Sequence, residues 1–176
     1  LVELAAEHCF SATDLLEEGR NVIERALQVH QSPTLMHWGG RILHRLAGAA
    51  ATDENKRKLE GYRELGIGYY TAAYGADDNQ IWAQLDLAAS LWARATKLIR
   101  GQPIQRSEDQ VALLCRGIAV CGEVRSLKPN YFFGYNLETL LAAEAAKITG
   151  KAPVEFLSCE PDSLLELAES ANKNSR

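Results

Sequence analysis

Between Ser11 and Thr149 large apolar residues return every three or four positions, and each such run is closed by glycine, proline or a capping residue. That spacing places the apolar side chains on one face of a 3.6-residue helix and leaves no room for a strand's alternation. The stretch Tyr62-Arg63-Glu64-Leu65-Gly66-Ile67-Gly68-Tyr69 carries the pattern best. On helical spacing Tyr62, Leu65, Gly66 and Tyr69 share a face, and Gly66 would let a neighbouring helix approach closely.

Start and stop signals divide the rest. A first short helix is expected over Val2 to Phe10. Ser11 with Asp14 three residues on has the spacing of a capping box, and opens a helix from about Ala12 to Val29. Along it Leu15, Leu16, Gly19, Val22, Ile23, Ala26 and Leu27 form the apolar face. Ser32-Pro33 supplies the next N-cap and a proline at the first helical position. That helix carries Leu35, Trp38, Gly39, Ile42 and Leu46, a large-large-Gly-large order like that of the Tyr62 stretch.

Thr52-Asp53-Glu54 caps a helix that is expected to end near Gly75, read as a left-handed C-terminal residue. A wide apolar band from Asp78 to Ile99 includes Trp82 and Trp92 and predicts a central helix. Gly101 and Pro103 stop it, and the Ser107 to Gln110 segment opens the next, to about Ser126. Lys128-Pro129-Asn130 breaks the chain before a helix from Tyr131 to Thr149, with Gly150 as its C′ residue. Residues 151–159 read as a loop or short extended piece, and Pro161 opens a last helix through Ala171. The sum is an all-α fold of about seven helices in antiparallel hairpins, forming either a solenoid or a compact bundle.

Composition narrows the classes of function. With 47% hydrophobic and 24% charged residues, the chain has the balance of an ordinary globular protein, and its 176 residues are expected to form one domain. A net charge of -4 gives no field that would gather nucleic acid or anionic lipid. The band from Ile81 to Ile99 is interrupted by Gln84, Asp86, Arg94 and Lys97, which argues against a membrane span. Cys9, Cys115, Cys121 and Cys159 form no Cys-x-x-Cys pair, so reduced thiols and a cytoplasmic location are expected. No signal peptide is visible, and a start at Leu1 leaves room for a longer parent chain.

Tyr62, Leu65-Gly66 and Tyr69 resemble the first helix of a tetratricopeptide repeat, with Trp82 where the second helix carries a large aromatic. Leu35, Trp38-Gly39 and Ile42 match the same order, and Lys128-Pro129-Asn130 before Tyr135-Asn136-Leu137 resembles a repeat junction. Asp78 stands where the family prefers Ala and Ser90 where it prefers Pro, and the matches keep no period of about 34, so the resemblance is to a divergent form. The segment Gly40-Arg41-Ile42 and the long helices are also similar to the helical repeat region beside the kinase domain of stress-activated MAP kinase kinase kinases. The resemblance covers residues 32–150. It implies a scaffold that binds another protein or a peptide, with no catalysis and no cofactor.

Two sets of residues are candidates for function. Among the aromatics, Tyr131, Phe132, Tyr70 and Tyr74 are expected to contribute to recognition, because tyrosine offers rigid amphipathic contact area. Tyr131, Phe132 and Phe133 are consecutive and cannot all face one way on a helix, so at least one belongs at a surface or junction. The alternative is chemical. His44-Arg45-Leu46-Ala47-Gly48-Ala49 resembles the motif around the phospho-accepting histidine of two-component phosphotransfer domains, which needs an exposed imidazole with a small residue one turn away. A histidine solvated beside Arg41 and Arg45 accounts for the same residues. His8-Cys9 point in different directions on a helix and lack an orienting third group. No metal-ligand spacing and no phosphate-binding glycine loop follows a strand. An enzyme whose site is assembled from residues distant in sequence is the third reading.

Overall fold

The computed structural model describes residues 11–49, 56–77, 80–96 and 107–157, and within them the chain is all-α. Six helices follow in order: α1 (Ala12–Val29), α2 (Pro33–Ala49), α3 (Lys56–Ala76), α4 (Ile81–Thr96), α5 (Ser107–Leu127) and α6 (Phe132–Thr149), then a 3-10 turn, Pro153–Phe156. The helices expected over Val2 to Phe10 and from Pro161, and the Thr52-Asp53-Glu54 cap, lie outside the described residues. The chain divides into two compact units, Leu1–Ala83 and Gln84–Arg176, with α4 beginning in the first and continuing in the second.

Local chemistry sets most of the boundaries. The Ser11 side chain accepts from the Asp14 N–H at 3.1 Å while Asp14 accepts from the Ser11 N–H at 3.0 Å, a complete capping box. The Ser11 hydroxyl also donates to Asp14 Oδ2 at 2.7 Å, and this bond first, then that from the Ser11 N–H, holds the Asp14 carboxyl below its usual range. Gly150 sits at φ 74 and closes α6, its N–H donating to Ala146 O at 2.8 Å. Gly75 does not play that part. It lies within α3, which runs on to Ala76 before Asp77 N–H caps Ala73 O at 3.2 Å. Of the two readings for the segment after Gly150 the structure shows the loop, with a single 3-10 turn starting at Pro153.

In the first unit the helices lie up, down and up. A Cβ on Gly19 would meet Ile42 at 3.3 Å and one on Gly39 would meet Ile23 at 3.3 Å, so α1 and α2 run antiparallel. Gly66 faces Leu43 and Gly40 faces Tyr70, so α2 and α3 are antiparallel too. The Tyr62 hydroxyl donates to Glu17 of α1, and the Glu24 carboxylate, one turn pair further on, acts on Tyr69, so α1 and α3 run parallel. Gly39 lies where all three meet, since a Cβ there would also come 3.4 Å from the Tyr69 ring.

The buried line of α3 is Leu59, Tyr62, Gly66, Tyr70 and Ala73, a 3-4-4-3 spacing. Leu65, expected on the same face, is 45% exposed, because the line drifts one position forward through Gly66 to Tyr70.

The second unit repeats the up-down-up arrangement. Gln110 Nε2 donates to Ala95 O at 2.8 Å, and a Cβ on Gly117 would come 3.6 Å from Ala88 O, so α4 and α5 are antiparallel. The same Cβ on Gly117 would lie 3.1 Å from Leu141, and one on Gly134 would lie 3.4 Å from Val124, so α5 and α6 are antiparallel. Leu87, Leu91, Leu114, Cys121, Val124 and Leu141 are buried in its core.

Candidate protein-binding site

The α5–α6 hairpin ends in the break read from Lys128-Pro129-Asn130, and the structure locks that tip from both sides. Lys128 N–H donates to Val124 O at 2.8 Å and ends α5, and Tyr131 N–H donates back to Lys128 O at 3.0 Å. The Pro129 carbonyl is the hook at the tip, and the Tyr135 hydroxyl donates to it at 2.7 Å.

Behind the turn Arg125 grips Glu138 in a fork, Nε to Oε2 at 2.7 Å and a terminal nitrogen to Oε1 at 3.4 Å. Glu138 is fully buried, and the guanidinium also lies 5.6 Å from the Tyr135 ring centroid. A buried carboxylate is tolerable only when paired in this way. Cys121, beneath the pair, is buried too, and burial first, then the Glu138 charge, pushes its thiol up to about 12. Its thiolate is suppressed, so it is no nucleophile.

On this fixed tip stand the aromatics. Phe133 is 65% exposed, and its ring lies 5.6 Å from that of half-buried Tyr131 at a 44° tilt. Burial, then the Asp86 carboxylate, raises the Tyr131 phenol above its usual range. Leu127 at the end of α5 and Leu140, two turns along α6 from Phe133, are exposed as well. Phe132 is half-buried. Of the three consecutive aromatics Phe133 is therefore the outward one.

The other expected recognition residues belong to the first unit. Tyr70 is 2% exposed, packed on Gly40 and 5.9 Å from the His37 ring, so it serves the core; Tyr74 is half-buried. Trp82, expected as a packing aromatic, is 61% exposed. His44 is exposed on α2, and a Cβ on Gly48, one turn on, would meet nothing within 4 Å.

Sequence reasoning missed the Arg125–Glu138 pair and the Tyr135 hook. The signal was thin: two opposite charges stand on the two arms of the hairpin, but Arg125 lies four residues before Pro129 and Glu138 nine after it, so folding back symmetrically about the break would not pair them. Among the described residues no group of three or more His, Cys, Asp or Glu side chains is placed to hold a metal ion, and no helix is long and apolar enough to cross a membrane. The chain matches no protein-family model, no curated protein and no solved structure.

Proposed function

We propose that the protein is a non-catalytic, tetratricopeptide-like helical scaffold of the cytoplasm that binds another protein or a peptide through the α5–α6 tip. The observation that carries this reading is the exposed Phe133, with the Tyr131 ring tilted against it, on a turn that hydrogen bonds and a buried ion pair hold still. A large aromatic already fixed in place loses little conformational entropy on docking, which is the character of an interface anchor. The free thiols Cys115 and Cys121 favour a reducing compartment.

The test compares wild type with Phe133→Ala and Tyr131→Ala in pull-downs from lysate, followed by titration of the purified partner. An anchor of this type carries about 2 kcal/mol or more, so Phe133→Ala is expected to weaken binding about thirty-fold without lowering thermal stability. A partner that binds both variants as it binds wild type would refute the tip as the contact.

A second reading rests on the exposure of His44 and the open space at Gly48. There the protein accepts a phosphoryl group from a phosphorylated receiver domain onto His44. Label on wild type that disappears in His44→Gln supports it, and an unlabelled wild-type protein refutes it.

A further inference from the structure

The two faces of α1 are told apart by what they touch. Gly19 and Ile23 lie against α2, Glu17 accepts from Tyr62 of α3, Glu24 acts on Tyr69, and Leu27 is the buried residue of the helix. The opposite face carries Leu15, Glu18, Val22, Arg25 and Val29, at intervals of three and four, so they fall within about 80° of arc at ~100° per residue. Val22 is 52% exposed and Val29 90%, which leaves an apolar stripe open to water where a helix surface is ordinarily polar. Leu15 is half-buried, and Glu18 and Arg25 between the apolar residues are exposed.

Along this stripe the order is apolar, acid, apolar, base, apolar, symmetric about Val22 except that the charge changes sign. A surface of that kind is complementary to itself. In two copies of α1 laid antiparallel with their Val22 side chains opposed, Leu15 meets Val29 of the second copy. Glu18 then comes within one residue, about 1.5 Å along the axis, of Arg25 of the second copy, and the two-fold axis repeats each contact. A parallel pair would oppose Glu18 to Glu18 and Arg25 to Arg25, so the charges select the antiparallel one. Within one molecule an Arg25 terminal nitrogen already lies 3.2 Å from Glu18 Oε1. Exposed side chains two turns apart gain little from such a pair, and exchanging it for the same ions of a second copy keeps both charges answered.

From this self-complementary pattern we propose that the exposed face of α1 binds a second copy of the chain, forming an antiparallel two-fold helix pair with alternating apolar and ion-pair layers. An 18-residue helix is about 27 Å long, so one such pair stands at the low end of specific interfaces. The dimer is accordingly weak, with a dissociation constant on the order of 100 µM. The surface uses none of the residues of the α5–α6 tip, so it stands or falls separately from the proposed function.

The test is sedimentation equilibrium on the full chain from about 10 to 500 µM, a range that brackets the expected constant. The weight-average mass is expected to rise with concentration toward twice that of the chain. Val22→Glu opposes two carboxylates on the two-fold axis, and Val29→Glu, at a position too exposed to disturb the core, places one at each end. Each is expected to weaken the dimer about tenfold or more. Glu18→Arg alone and Arg25→Glu alone oppose like charges in both ion-pair layers and are expected to leave monomers. Mixed together, these two variants are expected to associate again, because the two arginines of one then face the two glutamates of the other, a rescue that a change in folding could not produce. Circular dichroism melts check that each variant is folded, and Phe133→Ala is expected to dimerise as wild type does. A monomer throughout the range overturns the proposal, as does a dimer indifferent to Val22→Glu and Val29→Glu, or a mixture of the charge variants that stays monomeric. Open-ended assemblies overturn it too, since an isologous contact closes at two copies.

Discussion

Gly40 has no room for a methyl group. A Cβ there would lie 2.5 Å from the Tyr70 ring, and that ring is 2% exposed with the His37 ring tilted against it at 5.9 Å, so it has nowhere to swing. Gly40→Ala is therefore expected to destabilise the protein by about 1 to 3 kcal/mol through overpacking, read from the midpoint of chemical denaturation. Gly66 differs, although its pattern in the sequence marked it as the close crossing. Its Cβ would meet Leu43 at 3.5 Å and Gly40 O at 3.6 Å, ordinary contact distances. Gly66→Ala should thus be neutral or stabilising by up to about 1 kcal/mol, since alanine is the better helix former. Gly66→Leu, too large for the seam, should cost about 1 to 3 kcal/mol. Equal melting of Gly40→Ala and wild type would show the tight contact to be misplaced. The sequence pointed to the right seam and the wrong side of it, because which glycine faces an aromatic depends on the rotation of α2 against α3, and that is fixed by packing rather than by local pattern.

At the scale of elements, the α5–α6 hairpin separates two strengths of polar contact. Glu138→Ala removes one partner of a buried pair and leaves Arg125, 12% exposed, without its carboxylate. That loss is expected to cost about 3 to 5 kcal/mol. Tyr135→Phe removes only the 2.7 Å bond to Pro129 O and keeps the ring, so about 1 kcal/mol is expected. If the two variants had equal denaturation midpoints, the ion pair would not be the clasp of this hairpin. The elements themselves were legible wherever their ends are decided locally. Ser11 with Asp14 and the left-handed Gly150 are cases in point, since a side chain three residues away decides the first and the glycine's own missing Cβ the second. Gly75 misled because a glycine ends a helix only if the chain then turns left, and α3 continues instead to Ala76. Trp82 misled for a related reason: periodicity gives the face of a helix, but what packs against that face is a tertiary fact.

For the molecule as a whole, helical spacing and the absence of strand patterns sufficed for the all-α class, and hairpin order followed from short connections. The Phe133 tip was only half legible: three consecutive aromatics require one to face outward, while the bonds that fix it join residues six and thirteen apart. The electrostatic response of the protein was not legible at all, since it depends on burial. Tyr62, Tyr69 and Tyr131 are each raised above the ordinary phenol value, chiefly by burial, and Cys121 is raised from 9.0 to about 12. All four hold their protons more tightly folded than unfolded. For Cys121 the resulting stability is complete below about 9, where the unfolded thiol also keeps its proton, and it is lost as pH rises from there toward 12. Urea midpoints are therefore expected to fall steadily above pH ~9, and less steeply in Cys121→Ala, which lacks the buried thiol while keeping the tyrosines. Thiol labelling of the native protein at pH ~8 adds an independent check through the contrast of exposed Cys115 with buried Cys121. Cys115 should react at once and Cys121 only as fast as the fold opens, and equal rates for the two would mean that the α5–α6 core admits water where the structure closes it.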